Sequence, residues 1–214
     1  MSVVAGSGLT LRCRGTVIVV LVAVTALFVG APMAGATTTT ATQYGFTFSL
    51  PKRWTQIPLT RSDVGVLLKE ASKLNPTFAN ILDAQVEQAA KQGLKVFAVG
   101  PVARGFLPSL SVAVKARAGV LSDPASFRLA ELQLKIVLRV AGLQDPHIAE
   151  VHLPVGTAIQ VTYALPLHGM PHPAHGRQLY FAHAARLYVL TCTSATSSQA
   201  EAVARYMEVH WRWR

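Results

Sequence analysis

Apolar and polar residues alternate with a period of two across residues 44–51. Phe46, Phe48 and Leu50 fall on one face, Thr47 and Ser49 on the other. This is the pattern of a half-buried strand, which Pro51 ends just before Trp54. The period then lengthens. Val64, Leu67, Leu68, Ala71 and Leu74 recur at threes and fours, predicting a helix over 62–75 that Ser62 or Asp63 caps and Asn75-Pro76 stops. A second helix follows, with Phe78, Ile81, Leu82, Val86 and Ala89 on one side and Gly93 at its end. Strand texture returns at 94–100 and 109–116, where Leu110, Val112 and Val114 alternate with Ser111, Ala113 and Lys115. A glycine- and proline-rich loop joins the two. Asp123-Pro124 opens a helix running to about Ala141, whose apolar residues cover more than one stripe.

The last third reads as a meander, with strands at 147–154, 156–165, 177–184 and 185–193. Ser198 and Glu201 have the S-x-x-E spacing of a capping box, starting a helix that turns Val203, Met207 and Trp211 inward. The order β-α-α-β-β-α-β-β-β-β-α is rich in hairpins, so the sheet should be mostly antiparallel. Tyr188, Leu190 and Cys192 lie on one face of their strand, Leu187 and Val189 on the other. Apolar residues on both faces predict cover on both sides. The expected fold class is α+β: an α/β/α sandwich with a central, mostly antiparallel sheet covered by helices, in a single domain over 44–214.

The N-terminus adds a compartment. Arg12 and Arg14 precede an uncharged apolar run at 16–30, and Ala34-Gly35-Ala36 supplies a small-x-small site. That order predicts a secretory signal peptide over 1–36, cleaved after Ala36. The run is shorter than the roughly 20 residues a spanning helix needs. Residues 37–43, TTTTATQ, are expected as a flexible tether. Cys13 lies ahead of the apolar run and so is not the acylated cysteine of a lipoprotein. Only Cys192 follows the expected cleavage point, which leaves no intramolecular disulfide and predicts a buried thiol. The chain has 20 basic and 10 acidic residues. Exported and basic, it should meet an envelope protein, an anionic lipid or a wall polymer rather than nucleic acid.

At this point the chain resembles a known group. The aromatic strand running into proline and tryptophan in YGFTFSLPKRW, a helical stretch, two strands and a long helix come first. GTAIQVTYAL, RQLYFAHAARLYVLTCTS and a last helix then close the pattern. This looks like the PsbP/Mog-type fold, including exported bacterial proteins of the LpqN type, across nearly all of 44–214. The resemblance implies an α/β/α sandwich and a binding or accessory role in docking other proteins. It carries over no partner-binding residue, and the lipoprotein cysteine of LpqN-type relatives is missing.

Candidate chemistry is sparse. HGMPHPAHG places His168, His172 and His175 close together. Pro171 and Pro173 flank His172 and exclude the helical i, i+4 arrangement of a zinc motif. No acid lies between Glu150 and Glu201 to complete a metal set. The segment therefore reads as a strand connection, and as a metal site only through those three histidines. His183 and Cys192 suggest a dyad. A two-residue turn at Ala184-Ala185 would put His183 opposite Arg186 and leave Cys192 six residues away, about 20 Å. A dyad needs about 3 Å. No nucleophile elbow, phosphate loop or dinucleotide fingerprint is present. No catalytic residue and no cofactor are expected. The ending HWRWR offers Trp211, Arg212, Trp213 and Arg214 as an interface, against a final helix that packs Trp211 inward. The function expected is that of an exported, non-enzymatic binding protein docking a protein partner. The alternatives are a carrier of a lipid or small hydrophobe, and a metal-binding envelope protein.

Overall fold

The computed structural model describes residues 38–41, 44–57, 93–101, 103–104, 106–116, 128, 131–132, 134–136, 138, 144–166 and 172–214. The expected signal peptide at 1–36, the expected helix at 62–75 and all of the expected second helix ahead of Gly93 lie outside them.

Seven strands form the main sheet: β3 (Thr55–Ile57), β4 (Leu94–Val99), β5 (Ser109–Ala116), β6 (Gln144–Leu153), β7 (Gly156–Leu165), β8 (Ala174–His183) and β9 (Arg186–Ser194). Their order is β3-β4-β5-β9-β8-β7-β6, and every neighbouring pair is antiparallel. The meander follows from its turns. His183 pairs with Arg186 across Ala184-Ala185, both in the left-handed region at φ 47° and 58°. Two such residues make the primed turn whose twist matches a two-residue hairpin.

A second, three-stranded sheet has the order β1-β2-β10, with β1 at Thr38–Ala41, β2 at Phe46–Ser49 and β10 at Arg212–Trp213. Residues 38–41 were expected in a tether; the backbone instead pairs Thr39 with Phe48 and Ala41 with Phe46. The C-terminal helix, Ser197–His210, leads directly into β10. Its cap is Thr196, whose Oγ1 accepts the Gln199 N–H at 3.3 Å, rather than the Ser198 expected from the S-x-x-E spacing.

The expected α/β/α sandwich is corrected by this arrangement. The molecule is a β-rich fold, and helices are not its general cover. On one face of the main sheet the small sheet and the C-terminal helix share the covering. Phe46, Phe48, Leu50 and Trp54 join Ala204, Met207 and Trp211 over Val96, Leu110, Leu179, Phe181, Tyr188 and Leu190. The physical reason lies in the aromatics. Trp211 stacks on Phe46 at 4.4 Å and meets Phe181 edge-on at 5.2 Å. The two ends of the described core thus close over each other as a strand pair instead of as helices. Ring pairs of this kind add about 0.5–1.5 kcal/mol beyond the area they bury. On the other face Leu134 and Leu138, from the helical residues described between 128 and 138, join Phe106 over Ala113, Ile159, Val161, Tyr180 and Val189.

Candidate functional site: a groove beside the C-terminal helix

The C-terminal helix lies over β8 and β9, and beyond it β7 turns Gln160, Thr162 and Ala164 to the same face. These side chains are too short to reach the helix, and Ala200 on the helix is shorter still. A half-open groove of about 720 Å³ results. Its floor includes Gln160, Thr162, His175 and Arg177, and its wall Ser197, Ala200, Glu201 and Arg205.

Arg177 is the central group. It shares a face with Leu179 and Phe181, which places a cation at the edge of the apolar core. Only 8% of the residue is exposed. Its Nη2 donates to Glu208 Oε1 at 3.2 Å, and Nη1 stands 3.8 Å from Glu201 Oε1. Its Nε is buried with no hydrogen-bond partner. Glu201 is held more closely by Arg205, through Nη2 at 2.6 Å and Nε at 2.9 Å. Burial pushes the Glu208 carboxyl above its usual range, and the guanidinium groups of Arg177 and Arg205 oppose that shift. Desolvation outweighs the attraction, the ordinary outcome for a carboxylate taken into a protein interior.

The helix begins at the groove's mouth. Its first turn carries no acid, so nothing on the helix itself compensates the positive end of its dipole there. Cys192 faces Arg177 across β9 and β8 and is fully buried. Burial pushes its thiol up to about 12, with Arg177 opposing and Glu208 reinforcing. A thiol so placed stays protonated and unreactive at neutral pH.

The residues singled out from sequence land in different places. Of the three loop histidines, His168 lies outside the described residues. His172 is exposed in a bend, and His175 sits on β8 between Ala164 and Ser194. The strand connection is therefore shorter than expected: β8 starts at Ala174, immediately after Pro173. Among the described residues no three His, Cys, Asp or Glu side chains gather to hold a metal ion. His183 pairs with Arg186 while Cys192 pairs with Arg177, so the two are six strand positions apart. His183 instead stacks on Trp213 at 4.0 Å.

The C-terminal tetrad divides. Trp211 is 2% exposed and central to the aromatic cluster. Trp213 is half-buried and donates from Nε1 to the Val155 carbonyl at 3.2 Å. Arg212 is exposed and donates to the carbonyls of Val209 and Trp211, closing the helix end; Arg214 is exposed. No described helix is long and apolar enough to cross a membrane.

Sequence reasoning missed Arg177, although a signal was there. In RQLYFAH it occupies the same alternating face as Leu179 and Phe181. A cation on an otherwise apolar face is the informative kind of burial. Glu201 and Glu208, seven residues apart on one helix face, were its available partners.

No family model matches the sequence, and no curated protein matches it. Solved structures do match in fold. The solution structure of cyanobacterial PsbP (CyanoP) from Synechocystis sp. PCC 6803 aligns with a TM-score of 0.50 at 10% identity, over 87% of this chain and 97% of that one. The crystal structure of LpqN, involved in cell envelope biogenesis of Mycobacterium tuberculosis, aligns with a TM-score of 0.44 at 12% identity, over 83% and 89%. The PsbP-like character expected from strand texture is thus found in three dimensions, and the chain is similar in fold to cyanobacterial PsbP.

Proposed function

We propose that this chain is an exported, non-enzymatic binding protein of the cell envelope that docks a protein partner in the groove between β7, β8 and the C-terminal helix. The observation that carries this reading is the groove itself. At about 720 Å³ it falls in the size range of ligand sites, and a nearly buried arginine with an unused donor lines it. The N-terminal order of basic residues, apolar run and Ala34-Gly35-Ala36 supports export. The polar lining favours a protein segment over a lipid tail, since Gln160, Thr162, Ser197 and Glu201 would each lose water against hydrocarbon.

Site-specific photocrosslinking tests the reading. A photoreactive residue at Ser197 should give one defined adduct with envelope extract. The same group at Lys52, exposed in the turn that precedes edge strand β3, should not. Equal adducts from both positions, or none from Ser197, would overturn the docking role.

A further inference from the structure

We infer that the groove receives a carboxylate from an acidic segment of the partner, with Arg177 as its anchor and Glu201 as the resident carboxylate that it displaces. The inference rests on the docking role proposed above. Arg177 uses its donors poorly in the free protein. Its contact with Glu208 at 3.2 Å is a hydrogen bond, whereas Glu201 at 3.8 Å is beyond hydrogen-bond length. Its Nε has no partner although the side chain is nine-tenths buried. A nearly buried guanidinium that lines a groove with its hydrogen-bonding capacity incompletely used is a site prepared for an acceptor.

Glu201 is suited to give way. Its side chain is 47% exposed, and its short contacts are to Arg205, itself 70% exposed. It can swing outward with Arg205 and keep that pair intact. The start of the helix at Ser197, with no acid in its first turn, adds a second source of positive potential. Thr162 and Gln160 on the floor supply neutral donors and acceptors for a peptide backbone. The charge count favours a monoanion: Glu208 stays on Arg177, so one incoming negative charge replaces the one that Glu201 withdraws, and a dianion would bring a charge in excess. The whole chain, with 20 basic residues to 10 acidic, draws acidic partners toward it.

The test uses the purified protein and a labelled, end-capped, Glu-rich peptide read by fluorescence anisotropy. Its Gln-for-Glu counterpart and inorganic phosphate serve as competitors. The Glu-rich peptide should bind, and both competitors should be at least about tenfold weaker. Glu201→Gln should tighten binding by about threefold or more, while Glu150→Gln, which removes an exposed acid from β6, should leave it unchanged. The paired change Arg177→Gln with Glu208→Gln keeps the net charge and leaves no unpaired buried carboxylate; it should weaken binding by about tenfold or more. Phosphate competing as well as the peptide, equal effects of Glu201→Gln and Glu150→Gln, or wild-type affinity in a folded paired variant would each overturn the inference. If circular dichroism shows the paired variant unfolded, the comparison of Glu201→Gln with Glu150→Gln decides. A Ser197 adduct that forms equally well in excess acidic peptide would refute the carboxylate anchor and leave the docking role standing. Peptide binding without any adduct would do the reverse.

Discussion

Three hydroxyls on the face of the sheet opposite the groove give the fold's most direct test. Tyr163, Thr191 and Thr193 are 4%, 3% and 1% exposed. The Thr191 hydroxyl has no hydrogen-bond partner, whereas those of Tyr163 and Thr193 interact with each other. Tyr163 and Thr193 lie in one row across β7, β8 and β9, with Gly176 between them. Tyr163's ring lies so close over Gly176 that a Cβ there would collide with it. A hydroxyl buried without a bond costs about 1–3 kcal/mol by mutational measures. Thr191→Val and Thr193→Val replace the oxygen by a methyl of similar volume on a backbone that favours β-branched residues. Tyr163→Phe removes the oxygen alone. Thr191→Val should therefore stabilise by about 1 kcal/mol. Tyr163→Phe and Thr193→Val, which each give up the interaction between those two hydroxyls, should stabilise by less and non-additively because the two sites share a row. For a chain of this size, 1 kcal/mol raises Tm by about 2–4 °C. In urea the midpoint should rise with an unchanged slope. Tyr180→Phe supplies the opposite sign, because Tyr180 donates to Gln178 Oε1 at 2.6 Å and losing a made bond should cost about 1 kcal/mol. A lower midpoint for Thr191→Val would refute the assignment of its hydroxyl as unpaired.

Alkaline pH should destabilise the fold. Burial raises Cys192 from 9.0 to about 12 and lifts Tyr163 and Tyr180 above their ordinary 10.0. Above pH 9 the unfolded chain releases protons that the folded one keeps, so stability is full below pH 9 and falls from there, by up to about 1.4 kcal/mol per pH unit for each group. Cys192→Val should flatten the first part of that fall in pH-dependent urea melts. Ala184→Asn with Ala185→Gly should raise Tm, since each alanine now sits at positive φ at a cost of about 1 kcal/mol; an unchanged melt would argue against the left-handed turn. Trp211→Ala should cost about 3–5 kcal/mol in chemical unfolding, whereas Arg214→Ala, exposed at the end of the chain, should change stability by less than about 0.5 kcal/mol.

Local periodicity states which residues of a segment face inward; it does not state what covers them. The bounds of β7 and β5 and the two-residue turn at Ala184-Ala185 were all legible, because alternation and spacing are properties of a few adjacent residues. The apolar residues on both faces of β9 were also legible, and cover on both sides follows from them. The nature of that cover does not. On one side it comes in part from β2 and β10, which meet through pairs such as Trp213 with Phe46, 167 positions apart in the chain. A two-residue strand has no period to read, and a threonine run carries no apolar alternation, so both sheet edges were invisible in the pattern.

The groove was harder to read for the same reason, and Arg177 shows why. Its position on β8 makes it look, in the local pattern, like a strand residue that has strayed onto the apolar face. Only the helix that returns over β8 supplies Glu208 and Glu201, 31 and 24 residues further on, and turns an isolated buried charge into a paired one. Breaking that pair from one side would leave a buried charge uncompensated, which is why the cation and its carboxylates must be considered together. His175 makes the complementary case. The prolines around His172 exclude a helix, yet a strand can begin directly after Pro173, whose missing N–H falls outside the ladder. The sequence thus limits that segment to non-helical backbone, while the pairing of His175 with Ala164 and Ser194 places it on a strand that lines the groove.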